Sequence, residues 1–327
     1  MDTLTSPHLQ EAVVLLNMGG PNHLHEVELF LQNMFNDPYI LCIKNTRLRQ
    51  LIAKFITKSR AHKSRAIYER IGGKSPIAAL SAQLTQKLNT LDSSRYYTYA
   101  MRYAPPHAFN VLEQLQEQGF MRLTLFPMYP QYSTTTTLSS IQDALRALKV
   151  LDYTPLLSSI ERFYTHPLYN QAIVQSIAHT LKGRAPEEFV LIFSVHGLPE
   201  RMILEGDPYQ AECIHHVSLL KRALLHASLR FKRIELAYQS KVGPLKWLEP
   251  STEEMIERHR KHKILIYPLA FSIDNSETIY ELQIQYRLNA ERLAVREYLV
   301  CPCLNDQIDF AKAIIDLLAH APRTILS

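Results

Sequence analysis

Two runs in this chain, Val13-Val14-Leu15-Leu16 and Val190-Leu191-Ile192-Phe193, are apolar at every position. A strand with no polar face has to be covered on both sides, as happens in parallel sheets flanked by helices. Further β-rich runs at residues 97–101, 123–127, 234–238, 264–267 and 298–301 join those at 12–17 and 189–194, with helical periodicity between them. The alternation predicts a doubly wound α/β chain built on parallel sheets. Residues 151–185, with the Pro-containing YTPLL and the basic KGRAP, mark where one winding ends and the next begins. Two lobes are expected, over residues 1–160 and 161–327, with the last helix able to pack back on the first lobe. A chain of 327 residues is long enough for both.

The four cysteines, Cys42, Cys213, Cys301 and Cys303, are too few for a disulfide framework. No apolar stretch approaches the ~20 residues that a membrane-spanning helix needs. The opening MDTLTSPHLQEAVVLL has neither the basic segment nor the cleavage site of a secretory signal, so a reducing, cytoplasmic setting is expected. The net charge of +5 is modest but unevenly spread: residues 44–65 hold eight Lys or Arg and no acid. Leu48, Leu51, Ile52, Phe55 and Ile56 recur there at helical spacing. Such a basic amphipathic helix either rests on an anionic surface or ligand, or docks by its apolar stripe and leaves a solvated basic face. A nucleic-acid partner is disfavoured, because no recognition fold or interleaved aromatic pattern accompanies the charge.

In open parallel sheets, ligands bind beyond the carboxyl ends of the strands. After residues 12–17 comes the tight turn Met18-Gly19-Gly20-Pro21, whose glycine spacing is not that of a nucleotide-binding fingerprint. After residues 123–127 come Met128-Tyr129-Pro130-Gln131-Tyr132-Ser133 and four threonines. The tyrosines suit a flat apolar ligand with polar edges, although a turn capping the next helix would use the same hydroxyls. After residues 189–194 come Val195-His196-Gly197-Leu198-Pro199, with His196 the informative residue. An isolated histidine is more often a satisfied core residue, but one at a strand end can ligate a metal or accept a proton near neutral pH. After residues 264–267, Asp274 or Ser276 is placed to cap a helix carrying Glu277 and Glu281 on one face. A capped helix with a solvated acidic face is the plainer reading. A histidine and a carboxylate with open positions would form a site that passes its metal on, whereas a structural zinc site closes with four ligands.

Seven ordered blocks resemble those of bacterial-type ferrochelatases, class II-type chelatases, across nearly the whole chain. They are LLNMGGP (15–21), YERIGGKSPI (68–77), MRYAPP (101–106), MYPQYSTTTT (128–137), FSVHGLPERMILEGDPY (193–209), YQSKVGPLKWLEPST (238–252) and PLAFSIDNSETIYELQIQY (268–286). The resemblance implies two Rossmann-like lobes with a porphyrin cleft between them. It implies a lyase that inserts Fe²⁺ into protoporphyrin IX, forming protohaem and releasing two protons. By the same resemblance His196 and Glu277 bind the metal and catalyse, with Asp274 and Glu281 as a supporting acid row. Met18, Arg60, Tyr68, Ser75, Arg102, Tyr103, Tyr129 and Tyr132 would surround the porphyrin. Iron is substrate, and no tightly bound cofactor is implied. The basic residues 44–65 acquire propionates and lipid head groups as anionic partners, the latter at the inner face of the membrane.

The chain departs from the usual pattern at Asn275, where the family commonly has a second histidine, at Gln285 in place of a further acid, and at Lys74 in place of a glycine. Cys301-Pro302-Cys303 invites comparison with members that hold an iron–sulfur cluster. Four thiolates would have to converge, and with Cys42 in the first lobe and Cys213 on a helix no cluster is expected. The rival functions are a chelatase for another metal or tetrapyrrole, and a haem or porphyrin carrier, which would need no base and carboxylate pair.

Overall fold

The computed structural model describes residues 10–241 and 245–326. Most of the amino-terminal stretch read as lacking a secretory signal, and Val242-Gly243-Pro244 of the YQSKVGP block, lie outside the described residues.

The chain divides into two compact units, one comprising Met1–Tyr129, Ser133–Arg162 and Ile315–Ser327, the other Pro130–Tyr132 and Phe163–Ile314. The first unit holds strands β1 (Glu11–Asn17), β2 (Arg95–Met101), β3 (Arg122–Pro127) and β4 (Leu156–Ser159). The second holds β5 (Phe189–His196), β6 (Arg233–Gln239), β7 (Lys263–Pro268) and β8 (Tyr298–Val300). A last strand, β9 (Thr324–Leu326), returns to the first sheet.

The sheets run β2-β1-β3-β4-β9 and β6-β5-β7-β8. Each places its second strand outside its first and its third on the opposite side, so the order reverses between β1 and β3 and again between β5 and β7. That reversal is the ligand crevice of doubly wound sheets. The apolar runs behave as their composition demands: β1 is buried from Ala12 onward and β5 from Phe189 to Val195. Helices including Ala108–Glu117 and Ser139–Val150 supply Val111, Leu112, Ile141 and Ala144 to the first core. In the second core, Val190, Ile192, Ile264 and Ile266 meet Met255, Ile256 and Leu282.

Residues 151–185 contain β4 and the helix Pro167–Leu181 as well as the break between the two units, at Arg162 and Phe163. Contrary to the sequence reading, the first sheet is not wholly parallel, because β9 pairs antiparallel with β4. Both strands are short, and half of β4 is serine, so neither carries the apolar run that reveals a buried strand.

Pro130–Tyr132 joins the second unit through polar contacts. Gln131 Nε2 donates to His216 Nδ1 at 2.7 Å, His216 Nε2 lies 2.8 Å from Asn170 Oδ1, and the Tyr132 N–H donates to Glu212 at 2.8 Å. Burial holds the enclosed His216 far below the usual histidine range, at about 3, so it stays a neutral imidazole with one donor and one acceptor.

Candidate active site

β5 ends on His196, which pairs in register with Gln239, the last residue of β6. Gly197 then turns the chain, its N–H donating to the Gln239 carbonyl at 2.8 Å. A Cβ at Gly197 would lie 2.9 Å from that same oxygen, so this approach admits no side chain. The Tyr209 hydroxyl donates to the His196 carbonyl at 3.0 Å and fixes the histidine backbone from the GDPY turn.

Beyond β7 the chain enters a loop and then a π-helix, Glu277–Gln285. The cap differs from the sequence expectation: Asn275, rather than Asp274 or Ser276, accepts the Glu277 N–H, at 2.8 Å. Asp274 instead accepts from the Thr278 hydroxyl and Asn305 Nδ2, each at 2.7 Å, and so ties the loop beneath the helix. The departure at Asn275 therefore has a structural role at the start of this helix. Gln285 reaches Glu253 at 3.4 Å, and Lys74 is exposed in its turn.

These elements bring His196 and Glu277 into direct contact, with Nδ1 2.7 Å from Glu277 Oε2. Ser240, the residue after β6, lies between two carboxylates: its Oγ is 2.9 Å from Glu277 Oε2 and 2.6 Å from Glu281 Oε2. Gln239 Nε2 also donates to Glu281, at 3.3 Å, while Ser194 Oγ donates to Gln239 Oε1 at 2.7 Å. Among the described residues no three or more His, Cys, Asp or Glu form a ready metal cage. The site is a hydrogen-bonded row, His196, Glu277, Ser240 and Glu281.

The electrostatics separate the three titrating groups. Burial opposes the charged imidazolium, but the Glu277 carboxylate outweighs it and holds His196 above the usual histidine range. Burial likewise opposes ionised Glu277, yet the adjoining His196 and the Ser240 hydroxyl hold it below the usual carboxylate range. Burial and the Glu277 charge together push Glu281 up to about 7. In the neutral imidazole beside ionised Glu277, Nδ1 carries the proton toward the carboxylate and Nε2 presents the lone pair. His196 keeps 38% of its side chain open to solvent.

In the first unit, Met18 packs against a cluster containing Tyr68 and Tyr103. Ser75 is buried, and its N–H donates to the Pro21 carbonyl at 2.8 Å. Arg60 lies over the Phe35 ring at 5.7 Å, and Tyr129 is 3.3 Å from Ser140 Oγ. Arg102 is engaged by protein: Nη2 pairs with Asp37 at 2.9 Å, Nη1 with Asp143 at 3.2 Å, and Nε donates to Ser139 at 3.1 Å. Asp37 also accepts from the Tyr103 hydroxyl at 2.9 Å. Of these residues Arg102, Asp37 and Asp143 line a cavity of about 540 Å³, together with Arg146. Tyr132 belongs to the second unit. Sequence reasoning did not single out Ser240, Gln239 or Asp37. The first two could have been found by the strand-end rule, whereas Asp37 carries no such signal.

The ferrochelatase family model matches residues 10–321. A ferrochelatase of Helicobacter pylori (strain HPAG1) is 60% identical over 312 residues, covering 95% of this chain and 93% of the relative. A ferrochelatase of Wolinella succinogenes is 50% identical over 312 residues, covering 95% and 99% respectively. Among solved structures, the sirohydrochlorin chelatase SirB from Bacillus subtilis subspecies spizizenii, in complex with cobalt, aligns with a TM-score of 0.54 at 9% identity. That alignment covers 94% of this chain and 93% of the other, and it is a likeness of fold.

Proposed function

The chain belongs to the ferrochelatase family and inserts iron into a porphyrin for haem synthesis, and we propose that His196, Glu277 and Glu281 carry out the reaction. The observation that carries this assignment is the 2.7 Å contact between His196 Nδ1 and Glu277, beside a second carboxylate.

Insertion exchanges two pyrrole N–H protons for one Fe²⁺. With Nδ1 turned to Glu277, Nε2 of His196 takes a proton from the ring as general base. That one lone pair serves the metal or the proton, not both together, so the carboxylate oxygens of Glu277 and Glu281 hold the ion while the base works. Oxygen ligands remove water from Fe²⁺ yet bind it weakly enough to release it to four nitrogens. Glu281, pushed up to about 7 when no metal is on it, is suited to take the second proton once the iron has passed to the ring. A porphyrin held bent would expose its nitrogen lone pairs and bring it nearer the transition state. Met18, Arg60, Tyr68, Ser75, Tyr103, Tyr129 and Tyr132 remain the proposed porphyrin contacts, with Arg102 acting through its fixed ion pairs.

The scheme uses no resident cofactor. A cluster would need four thiolates at one point, and Cys42 is exposed whereas Cys213, Cys301 and Cys303 are buried, which favours a site without one. Anaerobic incubation with Fe²⁺ is expected to give faster haem formation from protoporphyrin than from coproporphyrin, in protein free of acid-labile sulfide. A preference for coproporphyrin would reassign the substrate, and stoichiometric sulfide would reinstate a cluster.

Among the described residues no helix is long and apolar enough to cross a membrane. The helix Thr46–Arg70 instead supports peripheral contact. It buries Ala53 and Thr57, while Leu48, Leu51 and Phe55 are 49%, 67% and 77% exposed among its basic residues. This is the composition of a helix that inserts apolar side chains between anionic head groups. The protein is expected to sediment with phosphatidylglycerol vesicles but not with phosphatidylcholine vesicles, and the Leu51→Asp/Phe55→Asp variant should stay in the supernatant. Equal sedimentation of the variant would remove this contact and the placement at the inner membrane face.

A further inference from the structure

Ser240 has φ +67°, in the left-handed region where glycine is the unstrained residue. A side chain kept in such a conformation carries backbone strain that the surrounding contacts must hold. The Ser240 hydroxyl lies within hydrogen-bond distance of both Glu277 and Glu281, at 2.9 and 2.6 Å. Two carboxylates four residues apart on one helix repel, and each has several rotamers in which to separate. A donor fixed between them draws both to one point.

The support behind that donor is built from the interior. Thr252 Oγ1 lies 2.8 Å from Ser194 Oγ, Ser194 donates to Gln239, and Gln239 donates to the same Glu281 oxygen that Ser240 contacts. Consecutive residues at the end of β6 thus converge on one carboxylate from a buried base. Resting on the reading of Glu277 and Glu281 as iron-handling groups, we propose that Ser240 is a positioning residue for iron uptake. Its hydroxyl gathers the two carboxylates into a single oxygen-rich face before the metal arrives.

The test compares Ser240→Gly and Ser240→Ala with wild type and Glu277→Gln, measuring the KM for Fe²⁺, the KM for porphyrin and thermal stability. Both serine variants lose the hydroxyl, but only glycine relieves the backbone. The iron KM is expected to rise about 10- to 100-fold in both, as when a group orienting a metal ligand is removed, with the porphyrin KM unchanged. The glycine variant should melt no lower than wild type. An iron KM within twofold of wild type in Ser240→Gly, or a matching rise in porphyrin KM, overturns the proposal. If Glu277→Gln collapses turnover while Ser240→Gly leaves the iron KM unmoved, only the role of Ser240 fails. If Glu277→Gln is itself fully active, the reading of the site fails.

Discussion

His196→Ala is expected to lower the turnover of iron insertion by about 10²- to 10⁴-fold, the usual contribution of a positioned general base, with porphyrin binding retained. The loss should be chemical rather than structural. Gly197 and Tyr209 hold the backbone at this point through main-chain contacts that alanine preserves, and the side chain is 38% exposed. The pH dependence gives a second, independent readout. A base works only when neutral, so wild-type kcat falls as pH drops through the His196 value, which lies above the usual histidine range. Replacing Glu277 with Gln removes the larger of the two charges that raise it and leaves the weaker Glu281 charge against burial, which lowers it. The acid limb of any remaining activity should therefore move to lower pH. A limb that stays in place would show that His196 is not the group titrating.

Arg102→Met is expected to destabilise the first unit by about 3–5 kcal/mol, the cost of leaving one member of a buried ion pair without its partner. The Asp37 side chain is 0% exposed and that of Arg102 only 14%. After the substitution, the Asp37 carboxylate keeps its hydroxyl donors, Tyr103 and Ser139, but no counter-charge. Removing both charges in Arg102→Met/Asp37→Leu should restore much of the loss, since two apolar side chains leave no stranded ion. Urea denaturation with unchanged m-values would measure both effects. A single-variant loss below about 1 kcal/mol would mean that solvent reaches Asp37 and that the pair behaves as an exposed one.

The sequence carried the strands with apolar runs and the strand-end rule that drew attention to His196. It did not carry β4 or β9, whose few residues are distinguished by pairing partners rather than by pattern. Nor could the residue types reveal that Glu277–Gln285 winds as a π-helix, because the same side chains serve an α-helix equally well. Residue preference points to Asp274 or Ser276 as the cap. Asn275 takes it because Asp274 is drawn to Asn305 and Thr278, a tertiary competition that local sequence does not encode. Ser240 was hidden for a related reason: its importance lies in a positive φ and in two carboxylates contributed by a distant helix. The ion pair from Arg102 to Asp37 likewise joins segments far apart in the chain, with no spacing to betray it.

The central claim is that a histidine and a carboxylate in contact move the protons and the iron. Its most direct test is anaerobic haem formation from Fe²⁺ and protoporphyrin, followed by absorbance, for wild type beside His196→Ala and Glu277→Gln. Wild type should turn over, and turnover should collapse in both variants while each still binds porphyrin. Haem formation at wild-type rate in either variant would contradict it and place the base elsewhere.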